Sequence, residues 1–168
     1  MQPHRLVLVR HAQAAAGPVD AERPLTDRGA QQAAGIGAWL ARSGLEPDRV
    51  VLSPARRAVQ TWERAATALG PDPRPVVDER VWDNTVPALL AVLGEVPEDV
   101  RTLAVVGHAP SVGELAATLD DGRGDPAARS DVRAGFPAGG VAVLLLATPW
   151  SALGPGGATL GEVALPVG

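Results

Sequence analysis

A chain of 168 residues is long enough to bury an apolar core without disulfide or metal support, and it is expected to form one domain over residues 1–168. It has no cysteine, which excludes disulfides, thiol catalysis and cysteine-ligated zinc or iron–sulfur centres, and its three histidines (His4, His11 and His108) are few for a multi-histidine metal site. The net charge of −4 argues against general nucleic-acid binding, which needs a positive phosphate-facing surface, and because all fifteen basic residues are arginine the presence of an arginine signals little by itself.

The first element is "RLVLV" (5–9), an apolar run that reads as a strand buried on both faces and ends abruptly on Arg10 and His11. The "AQAAA" that follows resembles a signal-peptide cleavage site, but the apolar "LVLV" before it is shorter than the roughly 7–15 residues such a signal needs. No uninterrupted apolar run approaches the ~20 residues of a membrane span, so a soluble cytoplasmic protein with no membrane partner is expected. Thr26 is placed to cap a helix running to about Arg42, with Gly44 just past its end. "RVVL" (49–52) is the next strand. Ser53 and Pro54 then read as hydroxyl cap and first helical residue of a helix to about Leu69, stopped by Gly70 and Pro71.

Further helices are expected near 86–94 and 111–119, with the strand "TLAVV" (102–106) between them. Residues 120–140 read as a long surface loop. "VAVLLLA" (141–147) is a strand, and "GPGG" (154–157) a hairpin-like turn before a last strand at 159–165. Strand–helix alternation predicts an α/β domain with a mostly parallel sheet and helices on both faces.

Ligands of open α/β sheets bind beyond the carboxyl ends of the strands. That edge should collect Arg10 and His11, Arg56 and Arg57 from the first turn after the second strand, and Gly107 and His108. This suits phosphoryl transfer. Arginine grips phosphate oxygens bidentately and stays charged, a neutral imidazole can attack phosphorus, and a second histidine can donate to the transferring group. Helix N-termini after Ser53 and near Pro110 would add backbone donors. Adjacent helical residues point about 100° apart, so only one of Arg56 and Arg57 can face the site. His4 reads as a cap or a solvated side chain. A rival reading takes Ser111 in "GHAPSVG" as a nucleophile, a near miss to a G-x-S-x-G elbow with Ala109 in place of the first glycine and proline before the serine. A purely structural origin of the cluster would need three strand ends to agree by accident.

These residues also carry a resemblance. "VRHAQA" resembles the R-H-G signature of the histidine phosphatase superfamily, which has the phosphoglycerate mutase-like fold. "RPLTDRGAQQA" (23–33), "LSPARRAVQT" (52–61) and "VVGHAPSV" (105–112) are similar to that family's later segments, in its order. The compact size, "ERPLT" and "FPAGGVAVL" (136–144) resemble the small phosphohistidine phosphatase branch. The resemblance implies His11 as nucleophile, Arg10 and Arg57 gripping the phosphoryl group and His108 completing the pocket, with Arg23 either at its edge or facing solvent. It also implies a metal-independent enzyme with no cofactor, acting on phosphohistidine of a protein, with small phosphate esters or a non-catalytic phosphate-binding role as alternatives. Two departures are Ala12 at the signature glycine and Ala138 where relatives often have a hydroxyl. Larger members carry a glutamate general acid, for which Glu79 in "DERVWD" is the candidate here, a surface carboxylate being the alternative.

Overall fold

The computed structural model describes residues 3–70 and 72–166. Six strands form one sheet: β1 (Arg5–Arg10), β2 (Arg49–Leu52), β3 (Val76–Val77), β4 (Thr102–Gly107), β5 (Val141–Leu146) and β6 (Ala158–Ala164). Their spatial order is β3-β2-β4-β1-β5-β6. β1, β2, β3 and β4 are mutually parallel, and β5 runs antiparallel to both of its neighbours, β1 and β6. The sheet is thus mostly parallel, as expected for strands joined by helices.

The apolar run of β1 is continuous because both faces of the sheet are covered. Leu6 and Leu8 enter one core cluster with Leu89, Leu93, Leu115 and Leu119. These four come from α4 (Val86–Gly94) and α5 (Ser111–Leu119). Val7 and Val9 enter the opposite cluster with Ile36, Leu40 and Trp62, from α1 (Asp27–Arg42) and α2 (Arg56–Ala66). All four β1 side chains are fully buried, each worth roughly 1.5–3 kcal/mol.

Two glycines let α1 sit close enough to matter for the sheet edge. A Cβ on Gly29 would collide with the Gln13 carbonyl in the loop after β1, and one on Gly37 with the Ala65 carbonyl in α2. Thr26 caps α1 as expected, its hydroxyl accepting from Gly29 N at 2.9 Å. Gly44 follows the helix with φ of 65°.

Several expectations change. α2 begins at Arg56 rather than Pro54, and Ser53 is no helix cap; its hydroxyl is drawn inward to His108. The helical turn ends earlier, at Ala66, and Pro71 lies outside the described residues. The segment 120–140 is not all loop: α6 (Pro126–Ala134) forms there, with Asp125 accepting from Ala128 N and proline opening the helix. Its Ala128 and Val132, four residues apart, are buried. The two-residue β3 and the four-residue α3 (Glu79–Trp82) are also additions to the expected elements. His4 is held rather than solvated, stacked on Trp150 with Nε2 2.9 Å from the Glu98 carbonyl.

Candidate active site

Because β1, β2 and β4 run parallel, their carboxyl ends open on one edge, where a cleft of ≈ 290 Å³ is lined by Arg10, His11, Asp20, Arg23, Arg57, Trp82, Asn84, His108 and Ala109. β1 delivers Arg10 opposite Gly107 of β4, and His11 N donates to the Gly107 carbonyl at 3.0 Å. The chain then turns through Ala12, which is fully buried and whose N–H donates to Thr61 Oγ1 at 3.0 Å. Thr61 in turn donates to the Arg57 carbonyl at 2.7 Å. Among the described residues Asn84 is the only non-glycine with positive φ, so Ala12 occupies the signature glycine position without backbone strain. Gln32 accepts from Gln13 N and Gln60 from Leu25 N, both at 2.9 Å, fixing the two loops that flank the cleft.

The two imidazoles face each other with centroids 5.2 Å apart and planes at 59°. His11 Nδ1 lies 2.8 Å from the Ala12 carbonyl. A carbonyl oxygen only accepts, so Nδ1 carries the ring proton and Nε2 keeps a free lone pair. Burial pushes the His11 pKa down to about 4, and the Arg57, Arg10 and Arg23 charges add to this, while the Ala12 hydrogen bond works against it. His108 is also held at about 4, first by burial, then by His11 and the arginines, with Asp20 opposing. Both rings are therefore neutral at pH 7. A 2.7 Å hydrogen bond joins His108 Nε2 to buried Ser53 Oγ, and Trp82 meets the His108 ring edge-on at 5.4 Å.

The arginines reach the cleft by different routes. Arg10 donates from Nη1 to the Phe136 carbonyl at 2.7 Å, while its buried Nε has no hydrogen-bond partner. Burial lowers its pKa from the ordinary value, though a guanidinium stays charged at any working pH. The "FPAGG" loop completes this grip, with Gly139 N donating to the Arg10 and His11 carbonyls at 3.1 Å. Arg57 is 7% exposed, lies 5.4 Å over the Trp82 ring, and donates from Nη1 to the Asp20 carbonyl and from Nη2 to its carboxylate. Arg56, one residue earlier, is exposed and does not line the cleft.

The structure thus brings Arg10, His11, Arg23, Arg57 and His108 together, and leaves Glu79 out. Asp78 caps α3 and Val81 is the residue that α3 buries, so Glu79 at its first position is exposed and does not line the cleft. Ser111 is fully buried with its hydroxyl donating to the His108 carbonyl at 3.2 Å, and it also lies outside the lining. The helix starts have local partners, Ala55 N on Ser53 and Ser111 N on Asn84. Sequence reasoning missed Ser53 as a partner of His108, and Asp20, Trp82 and Asn84 as lining residues. The one available signal was "DAER", whose i, i+3 spacing pairs Asp20 with Arg23.

The stretch that holds Arg10, His11, Arg23 and Arg57 also matches known proteins. The family described as histidine phosphatase superfamily (branch 1) matches residues 6–84. Phosphohistidine phosphatase SixA of Escherichia coli (strain K12) is 33% identical over 73% of this chain and 78% of its own. The chain belongs to the histidine phosphatase superfamily. A solved structure named as a candidate phosphohistidine phosphatase SixA, from Nakamurella multipartitia, superposes on this phosphatase with a TM-score of 0.86 at 32% identity, covering 100% of this chain and 99% of that one. The protein histidine phosphatase SixA complexed with tungstate gives 0.78 at 28%, covering 96% and 97%. Among the described residues no helix of the phosphatase is long and apolar enough to cross a membrane.

Proposed function

We propose that the chain acts as one cytoplasmic histidine phosphatase domain that removes phosphate from phosphohistidine on a protein, through a phosphohistidine formed on His11 and without a metal. The observation that carries this reading is the His11 ring, anchored through Nδ1 on the Ala12 carbonyl with Nε2 unprotonated in the arginine-lined cleft. In this scheme Nε2 attacks phosphorus in line, the bond from phosphorus to the substrate nitrogen breaks, and its electron pair stays with the departing imidazole. Water then attacks the same phosphorus from the vacated side, and the pair of the broken bond returns to His11 Nε2. Arg10, Arg57 and His108 hold the equatorial oxygens, with Arg23 at the edge; their fixed charges and donors need no reorganisation as charge develops.

Leaving-group chemistry favours phosphohistidine over an alkyl phosphate. An alkoxide must be protonated as it leaves, and the one carboxylate in the cleft among the described residues, Asp20, has its pKa lowered by hydrogen bonding to Arg23, so it is ionised and a poor acid. Glu79, exposed and outside the lining, has no role in the scheme. The oxyanion bound by the tungstate complex of a relative fits the same pocket chemistry.

Brief incubation with a labelled phosphohistidine peptide should place label on His11, stable to base and lost in acid. His11→Ala should abolish labelling and turnover, and chelators should leave the rate unchanged. Label on Ser111, or a rate that collapses on chelation and returns with added magnesium, would overturn the reading.

A further inference from the structure

Residues 16–22 are all exposed, and they form a strap beside the cleft that is tied down at Asp20, the one of them that lines it. The Asp20 carbonyl accepts from Arg57 Nη1 at 2.7 Å; its Oδ2 accepts from Arg57 Nη2 at 3.2 Å and its Oδ1 from Arg23 Nη1 at 2.9 Å. The carboxylate is thus fixed in place by two cations, yet its side chain is 57% exposed, so it keeps lone pairs free toward the mouth. In-line displacement makes the leaving atom depart on the side away from His11. His11 is half-buried just past the carboxyl end of β1, whereas Asp20, on the same cleft, is the more exposed, so the solvent-facing side by which a protein-borne phosphohistidine enters and leaves is the side that carries Asp20.

We propose that Asp20 is a specificity-determining residue that accepts a hydrogen bond from the distal ring nitrogen of a phosphohistidine substrate and holds that imidazole in its protonated form. This rests on the phosphohistidine reading above. When the distal nitrogen carries a proton, cleavage returns the bonding pair to the ring and a neutral imidazole departs, with no proton moved during the step. Without that proton the ring would leave as an imidazolide anion, a far poorer leaving group. A carboxylate beside the ring favours the protonated form, and it repels donors that carry a second anionic group near the phosphate. The other charged or titratable groups lining the cleft with Asp20 are Arg23 just after the strap, Arg10 at the end of β1, His11 next to it, Arg57 from α2, and His108 after β4. The arginines stay charged and both histidines stay neutral through the working range.

The test compares Asp20→Asn, Asp20→Glu and the wild type on a phosphohistidine peptide and on p-nitrophenyl phosphate, whose leaving group needs no proton. For Asp20→Asn the fall in kcat/KM should be greater on phosphohistidine than on p-nitrophenyl phosphate by about tenfold, the scale of one lost hydrogen bond to a charged group. The alkaline limb of kcat on phosphohistidine should move to lower pH, because the substrate ring loses its proton sooner, and Asp20→Glu should restore both. Equal losses on the two substrates would overturn the inference and make Asp20 a positioning residue for Arg57, and no loss on either would also overturn it. A wild type with no preference for phosphohistidine would sink the substrate reading itself, an outcome separate from any effect of the variants.

Discussion

The floor and the mouth of the cleft are built on opposite principles. The floor is made by the ends of β1, β2 and β4 and the start of α2: His108, Ser53 and Arg57 are buried, His108 paired with Ser53 and Arg57 with Asp20 of the strap above it. The mouth is made by the exposed strap 16–22 with its Asp20 and by Trp82 of α3, which is 36% exposed; Glu79 of the same helix is exposed and does not line the cleft. Desolvation dominates the floor, where it keeps both imidazoles neutral, whereas at the mouth charges are hydrated and a single ion pair contributes little to stability. A substitution at the floor should therefore remove chemistry, and one at the mouth should change selection among substrates.

The strongest way to break this contrast is the arginine pair. Arg57→Ala should lower kcat/KM by about a hundred- to a thousandfold, the scale of a lost charge-stabilising donor, while exposed Arg56→Ala should stay near the wild type. Comparable small effects at both positions would mean that burial of Arg57 has no catalytic meaning.

Next in size is the pH response of the floor. With His11 near 4 the nucleophile stays neutral well into acid, so at pH 5 the phosphatase should retain most of its activity once substrate ionisation is allowed for. An imidazole at 6.5 would lose about thirtyfold there. Titration of the His11 and His108 ring resonances by NMR reads the same quantity directly. The two rings also tie stability to pH. Their pKa values are lower folded than unfolded, so the unfolded chain binds more protons in acid. Stability from this source is present in full above about 6.5 and is lost as pH falls toward about 4. Unfolding free energies measured across that window should fall less steeply in a His11→Ala, His108→Ala double variant.

Ser53→Ala tests the deepest contact of the floor. It leaves His108 Nε2 without its 2.7 Å partner and should cost about tenfold in kcat, the scale of one buried unpaired polar group. The smallest effect is expected outside the cleft. Glu79→Gln should change turnover of phosphohistidine and of alkyl phosphates by less than about twofold, as for a surface substitution away from any structural feature. A selective loss on alkyl phosphates would show that a carboxylate outside the cleft reaches the leaving group, and would dissolve the distinction drawn between the two regions.

Composition, strand runs and chain-ordered motifs were enough to read the α/β class, the β1, β2 and β4 ends, and the convergence of Arg10, His11, Arg57 and His108. These features are local: a buried strand must be apolar along its length, a parallel sheet brings successive strand ends to one edge, and a helical step of about 100° separates Arg56 from Arg57. The helix inside 120–140 was also written locally, in the Asp125–Pro126 start and the spacing of Ala128 and Val132, but the surrounding Gly, Asp and Arg obscured it. What only the tertiary structure decided were the contacts across long sequence separations. Ser53 reads as a helix cap until packing places His108, 55 residues away, beside its hydroxyl. Asp20 carries no sequence signal beyond its spacing to Arg23 until α2 brings Arg57, 37 residues on, to its carboxylate. Glu79 sits at a suggestive place in the chain, and only the burial of Val81 by α3 turns it outward. Side-chain direction at such positions is set by which neighbour excludes water from which face, and that neighbour comes from elsewhere in the chain.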